Sequence, residues 1–128
     1  MIHFVGAGPG AADLITMRGH QLLTEADVII YAGSLVNPEL LQYAKASCSI
    51  YNSASMTLEE VIDVMKQAEA KNQMTVRLHT GDPSLYGAIR EQMDQLDKDN
   101  ISYDVVPGVS SFCGAAAALK AEYTLPNV

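Results

Sequence analysis

Three short Gly/Pro turns are the stretches of this sequence whose residue types and spacing point to a ligand site. They are Gly6-Ala7-Gly8-Pro9-Gly10, Thr80-Gly81-Asp82-Pro83-Ser84 and Pro107-Gly108-Val109-Ser110-Ser111. Glycine lets a backbone approach a ligand closely and proline fixes the turn. The second and third turns add hydroxyls, and the second adds one carboxylate, Asp82. Such turns suit the holding of a small molecule by main-chain and hydroxyl contacts. Other chemistries lack their parts. There is no G-x-S-x-G elbow for a hydrolase and no Gly-Lys-Ser/Thr for a P-loop. His3, His20 and His79 are scattered and make no metal set. Cys48 and Cys113 fit neither C-x-x-C nor a zinc spacing and read as buried or half-buried thiols. No catalytic residue is identified.

The first turn formally matches the dinucleotide fingerprint G-x-G-x-x-[GA] over Gly6 to Ala11. Two physical points oppose that reading. Pro9 has no N–H where a helix N-terminus should offer donors to a pyrophosphate. The second predicted strand ends Tyr31-Ala32-Gly33, without the acidic residue that would hold a ribose hydroxyl. Asp27 lies at the strand's other end. A dinucleotide-binding domain stays as an alternative.

The elements that must position these turns follow from hydrophobic periodicity. His3–Val5, Val28–Tyr31, Cys48–Tyr51, Met74–Leu78 and Ser102–Val106 read as strands. Helices alternate with them. Thr16 caps the first, with Met17, Leu22, Leu23 and Ala26 as its apolar face. Asn37 caps the second, with Pro38 at the first helical position and Leu40, Leu41 and Ala44 buried. Thr57 and Glu60 form a capping box before Leu58, Val61, Ile62, Met65 and Ala68. Ser84–Asp97 reads as a helix with Tyr86, Ile89, Met93 and Leu96 in register. Phe112–Lys120 is an Ala-rich helix. Strand–helix alternation of this kind predicts an α/β fold: a three-layer αβα domain with a mainly parallel five-stranded sheet. Right-handed crossovers put every strand's carboxyl end on one edge, so the three turns should meet there. The break at Ala32-Gly33-Ser34 should face the same edge. Strand order is not legible.

The 128 residues suffice for one domain with a core. A net charge of −7 argues against a nucleic-acid partner, which needs clustered Lys and Arg. No apolar run approaches the ~20 residues of a membrane span, and the N-terminus enters a strand at once, without a leader pattern. A cytoplasmic protein is expected.

Four motifs, in order along the whole chain, resemble the tetrapyrrole methylases. They are Val5-Gly6-Ala7-Gly8-Pro9-Gly10, Tyr31-Ala32-Gly33-Ser34-Leu35-Val36, Arg77-Leu78-His79-Thr80-Gly81-Asp82-Pro83 with Tyr86-Gly87, and Val106-Pro107-Gly108-Val109-Ser110-Ser111. Their wording looks most like the cobalamin-making branch of that family. The resemblance implies an S-adenosylmethionine-dependent methyltransferase (S-adenosylhomocysteine as product) acting on a tetrapyrrole, with no nucleic-acid or membrane partner and a homodimer for the full-length protein. It implies two domains with the cofactor between them. Residues 1–122 then correspond to the N-terminal domain, and residues 123–128 to the start of a linker to a second one. Cofactor contacts carry over to Pro9, Thr80, Gly81, Asp82, Leu85, Ser110 and Ser111. Asp82 either orients the cofactor's amine or braces its turn. Relatives place an Asp, assigned as proton acceptor, where this chain has Ala32, so no catalytic base is carried over. Arg18, Lys45, Arg77 and Arg90 are the cations available to meet a substrate rich in carboxylates, each more readily read as plain surface. Another member of the family with a different substrate is the competing reading.

Overall fold

The computed structural model describes residues 1–124 and Pro126. Leu125, Asn127 and Val128, within the expected linker, lie outside the described residues. Five strands form one sheet: β1 (Ile2–Gly6), β2 (Val28–Tyr31), β3 (Ser49–Asn52), β4 (Thr75–His79) and β5 (Tyr103–Val106). Every neighbouring pair is parallel, and the order is β3-β2-β4-β1-β5. The helices are α1 (Met17–Glu25), α2 (Leu58–Ala70), α3 (Ile89–Lys98) and α4 (Ser111–Leu119).

The helices divide between the two faces. Leu23 and Ala26, at the end of α1, pack with Val5, Ile29, Val76 and Leu78 on one face. Val61, Ile62, Met65 and Ala68 of α2 join Ile89 and Leu96 of α3 over Phe4 and Ile30 on the other. Each large apolar side chain so buried contributes about 1.5–3 kcal/mol. These are the expected three layers. The central strand β4 is buried throughout, and β1 at every position but His3, because both faces are covered.

The order has a functional consequence. The chain leaves β1 through α1 on one face and leaves β4 through α3 on the other. β1 and β4 are neighbours, so the winding of the chain switches between them, and the helices that follow these two strands lie on opposite faces. In open α/β sheets, ligands bind at the strands' carboxyl ends beside such a switch point.

Local signals set several boundaries. The Thr16 hydroxyl accepts from the Gly19 N–H, and the Thr57–Glu60 capping box is formed in both directions. Asn37 caps as expected, but Pro38–Tyr43 winds as a 3₁₀ helix rather than an α-helix, the tighter form common in short connectors. Met17 is 91% exposed, against the expectation, because it lies across the helix from Leu23 and Ala26. Ser84–Ala88 is not helical and α3 opens only at Ile89. Cys113 is exposed and Cys48 half-buried. No residue of α4 is buried, so its apolar composition does not reflect a core position.

Candidate functional site

The first and second turns are joined directly. Gly8 and Gly81 exchange backbone hydrogen bonds of 3.2 and 2.8 Å, and the Ala7 N–H donates to the His79 carbonyl at 2.6 Å. The third turn packs against both: a Cβ on Gly108 would stand 2.2 Å from the Gly81 oxygen and 2.8 Å from the Gly6 Cα. Only glycine permits that approach. Asp82 supplies the remaining link. One carboxylate oxygen accepts from the Ser84 N–H at 2.8 Å, within its own turn. The other accepts from the Gly108 N–H at 2.9 Å, across to the β5 turn. Of the two roles left open for this carboxylate, the contacts formed are those of a brace.

A cavity of about 110 Å³ opens beside this junction and gathers Thr80, Gly81, Asp82, Leu85, Ser110 and Ser111. Tyr86 and Phe112 form its rim. Pro9, the seventh expected contact, does not line it. Its ring faces α4, where a Cβ on Gly114 would stand 2.6 Å from the Pro9 Cβ. The first turn therefore positions α4. The Ser110 hydroxyl caps α4 by accepting from the Phe112 N–H at 3.1 Å, and the Tyr123 hydroxyl donates to the Phe112 carbonyl at 2.6 Å.

The cavity suits one end of a polar cofactor. It offers the Thr80 and Ser111 hydroxyls and the capped start of α4, with Leu85 as an apolar wall. Its volume is well below the roughly 300–1,000 Å³ of sites that enclose a drug-sized ligand, so it is a partial socket. Only Asp82 and Tyr86 in its lining are titratable, and Asp82 is already hydrogen-bonded twice. Ala32, at the end of β2, contributes no acid–base group. The dinucleotide reading loses further ground: a three-residue 3₁₀ turn, Ala12–Leu14, follows the Gly loop, and α1 starts only at Met17. No α-helix N-terminus meets a ligand there.

Three polar side chains share one face of β4 beneath α3, and this row is not evident in the sequence. Arg77 is buried, contrary to its reading as surface, with Nε donating to Gln92 Oε1 at 3.0 Å and Nη1 to the Ile30 carbonyl at 3.2 Å. Both partners are neutral, and burial lowers the guanidinium to about 10. His79 stacks on Phe4 with ring centroids 6.2 Å apart. Burial, and then the Arg77 charge, push its imidazole down to about 3, so it is neutral at pH 7. The Thr75 hydroxyl and His79 Nε2 are buried without a hydrogen-bond partner. Lys45 is also removed from the crevice. It pairs with Asp27 at 2.7 Å, before β2 and at the opposite edge of the sheet.

A parallel α/β sheet with a cavity at the strands' carboxyl ends, lined by the β4 and β5 turns and their hydroxyls, defines a nucleotide- or cofactor-binding class of domain. Comparison with known proteins narrows this. The family model of the tetrapyrrole (corrin/porphyrin) methylases matches residues 1–128, and the chain belongs to that family. It is 60% identical over 124 residues to the cobalt-precorrin-4 C(11)-methyltransferase of Methanocaldococcus jannaschii, covering 97% of this chain and 48% of that protein. A crystal structure of a cobalt-precorrin-4 methyltransferase superposes with a TM-score of 0.96 at 45% identity, over 99% of this chain and 53% of that one. A Thermus thermophilus uroporphyrin-III C-methyltransferase complexed with S-adenosylhomocysteine gives a TM-score of 0.79 at 30% identity, over 90% and 51%. The chain thus spans about half the length of the relatives it matches.

Proposed function

We propose that this chain forms the N-terminal α/β domain of an S-adenosylmethionine-dependent C-methyltransferase. Its substrate is precorrin-4 or cobalt-precorrin-4, methylated at C11 during cobalamin biosynthesis. The observation that carries this reading is the convergence of Thr80, Gly81, Asp82, Leu85, Ser110 and Ser111 on one cavity at the strands' carboxyl ends, in a chain with this family match. Likeness to enzymes named for the precorrin-4 step supports the substrate. The relative complexed with S-adenosylhomocysteine supports the cofactor.

Bound S-adenosylmethionine would supply an electrophilic methyl group on a sulfonium. Thr80, Ser110 and Ser111 would hold it through hydroxyl and backbone contacts, with Leu85 as the apolar wall. Pro9 would act one layer back, by setting α4. The Asp82 brace keeps the β4 and β5 turns at a fixed separation, so the socket is formed before a ligand arrives. Holding reactants in near-attack geometry can lower a barrier by roughly 7–11 kcal/mol, and these residues are suited to that task rather than to proton transfer. The homodimer and the cytoplasmic setting are part of the same proposal.

Calorimetry with S-adenosylhomocysteine tests it. A partial socket should bind weakly, with Kd on the order of 0.1–1 mM, and the isolated chain should turn over no substrate. Submicromolar binding would refute the half-site reading. NAD should give no heat; a clear NAD isotherm would move the assignment to a dinucleotide-binding domain.

A further inference from the structure

Tyr86 is the residue that neither the fold nor the cofactor socket explains. Sequence spacing puts it on the buried face of a helix with Ile89, Met93 and Leu96. The structure instead holds it at φ +62, in the left-handed region, two residues before Ala88 at φ +53. The intervening Gly87 is obligatory, since a Cβ there would lie 2.1 Å from the Pro83 oxygen. Left-handed backbone is unfavourable for an aromatic residue and concentrates at functional sites. The result of this arrangement is a ring that is 95% exposed. Folding gains no packing from it.

The position of the ring gives the arrangement a use. Tyr86 lines the cofactor cavity on one side. On its other side it lines a second, open concavity of about 290 Å³ with Gly87, Arg90 and Met93. It therefore stands on the ridge between the two. Arg90 is exposed and takes part in no ion pair among the described residues. Of the other cations considered for an anionic ligand, Arg77 is buried under α3 and Lys45 is engaged by Asp27. Arg18 is exposed and also free of ion pairs among the described residues, but it lies on α1, over the face of the sheet opposite α3. In a chain of net charge −7, a free cation beside an exposed aromatic ring suits a flat, conjugated ligand with carboxylates at its edge. Stacking and a charge-assisted hydrogen bond would act together.

We propose that Tyr86 is the platform on which the tetrapyrrole ring stacks, with Arg90 pairing a peripheral carboxylate. The concavity over Gly87 and Met93 is then the substrate side of the ridge. This rests on the proposed function and assigns the substrate a place distinct from the cofactor's.

Amide-resolved NMR titration of the chain tests it, with two probes: S-adenosylhomocysteine, and dicyanocobyrinic acid as a diamagnetic corrin bearing free carboxylates. The cofactor product should shift Gly81, Asp82, Ser110 and Ser111. The corrin should shift Tyr86, Gly87 and Arg90. Tyr86→Gly should weaken the corrin by about tenfold and leave the melting temperature equal or higher, since glycine relieves the left-handed strain. Tyr86→Phe should keep the corrin affinity, and Arg90→Gln should weaken it and flatten its salt dependence. Corrin shifts located elsewhere, or a Tyr86→Gly chain that melts lower yet binds corrin unchanged, would overturn the inference and leave the cofactor assignment standing. If S-adenosylhomocysteine shifts none of its four expected amides, the proposed function falls and this inference with it.

Discussion

At the scale of single residues, His79 makes the most specific demand. Its imidazole is buried beside the Arg77 guanidinium and stays neutral, with its folded value near 3 against 6.5 in an unfolded chain. The sign follows from proton binding. Below pH 6.5 the unfolded chain takes up a proton that the native state refuses, so stability is lost as pH falls, down to about pH 3. His79→Leu removes that linkage. The stability advantage of the natural chain over His79→Leu should therefore shrink by about 3 kcal/mol between pH 7 and pH 4. Urea melts of both chains at each pH check this, and a pH-independent difference would show that the His79 imidazole titrates alike in the native and unfolded chains. Asp82 shows the opposite economy. Its carboxylate is the only charged group in the socket lining among the described residues, and both oxygens serve backbone N–H groups. A residue type that suggested chemistry is here architectural.

At the scale of elements, caps were legible because they are local. Thr57 and Glu60 are three residues apart, and each satisfies the other's backbone N–H. Thr57→Ala should cost about 1 kcal/mol, read as a lower urea midpoint with unchanged slope. A change in slope would instead mean that α2 frays in the native state. The start of α3 was not legible. The spacing of Tyr86, Ile89 and Met93 matches a helix, yet the tight Pro83–Gly87 approach turns the chain left-handed at Tyr86 and Ala88. A pattern of period 3.6 reports which side chains would share a face, and it is silent about a backbone contact that stops the helix.

At the scale of the whole molecule, the site depends on three loops meeting without side chains between them. Gly108 is the tightest point, touching both the Gly81 oxygen and Gly6. Gly108→Ala forces backbone apart in a fully formed junction and should cost about 1–3 kcal/mol. It should also abolish the weak S-adenosylhomocysteine binding, because the Asp82–Gly108 hydrogen bond goes with it. Calorimetry and thermal melts on one sample separate the two effects. Retained binding at reduced stability would place the cofactor away from this junction.

Read alone, the sequence determined the five strands, their alternation with helices, the parallel three-layer class and the set of turns that face one edge. Those features follow from local propensity and from the handedness of crossovers, which act over a few residues or by general rule. The order β3-β2-β4-β1-β5, the burial of Arg77 and His79 and the outward turn of Tyr86 were decided only in three dimensions. Each depends on partners 15 or more residues away, or on a steric contact at one peptide oxygen. One-dimensional spacing carries no record of either.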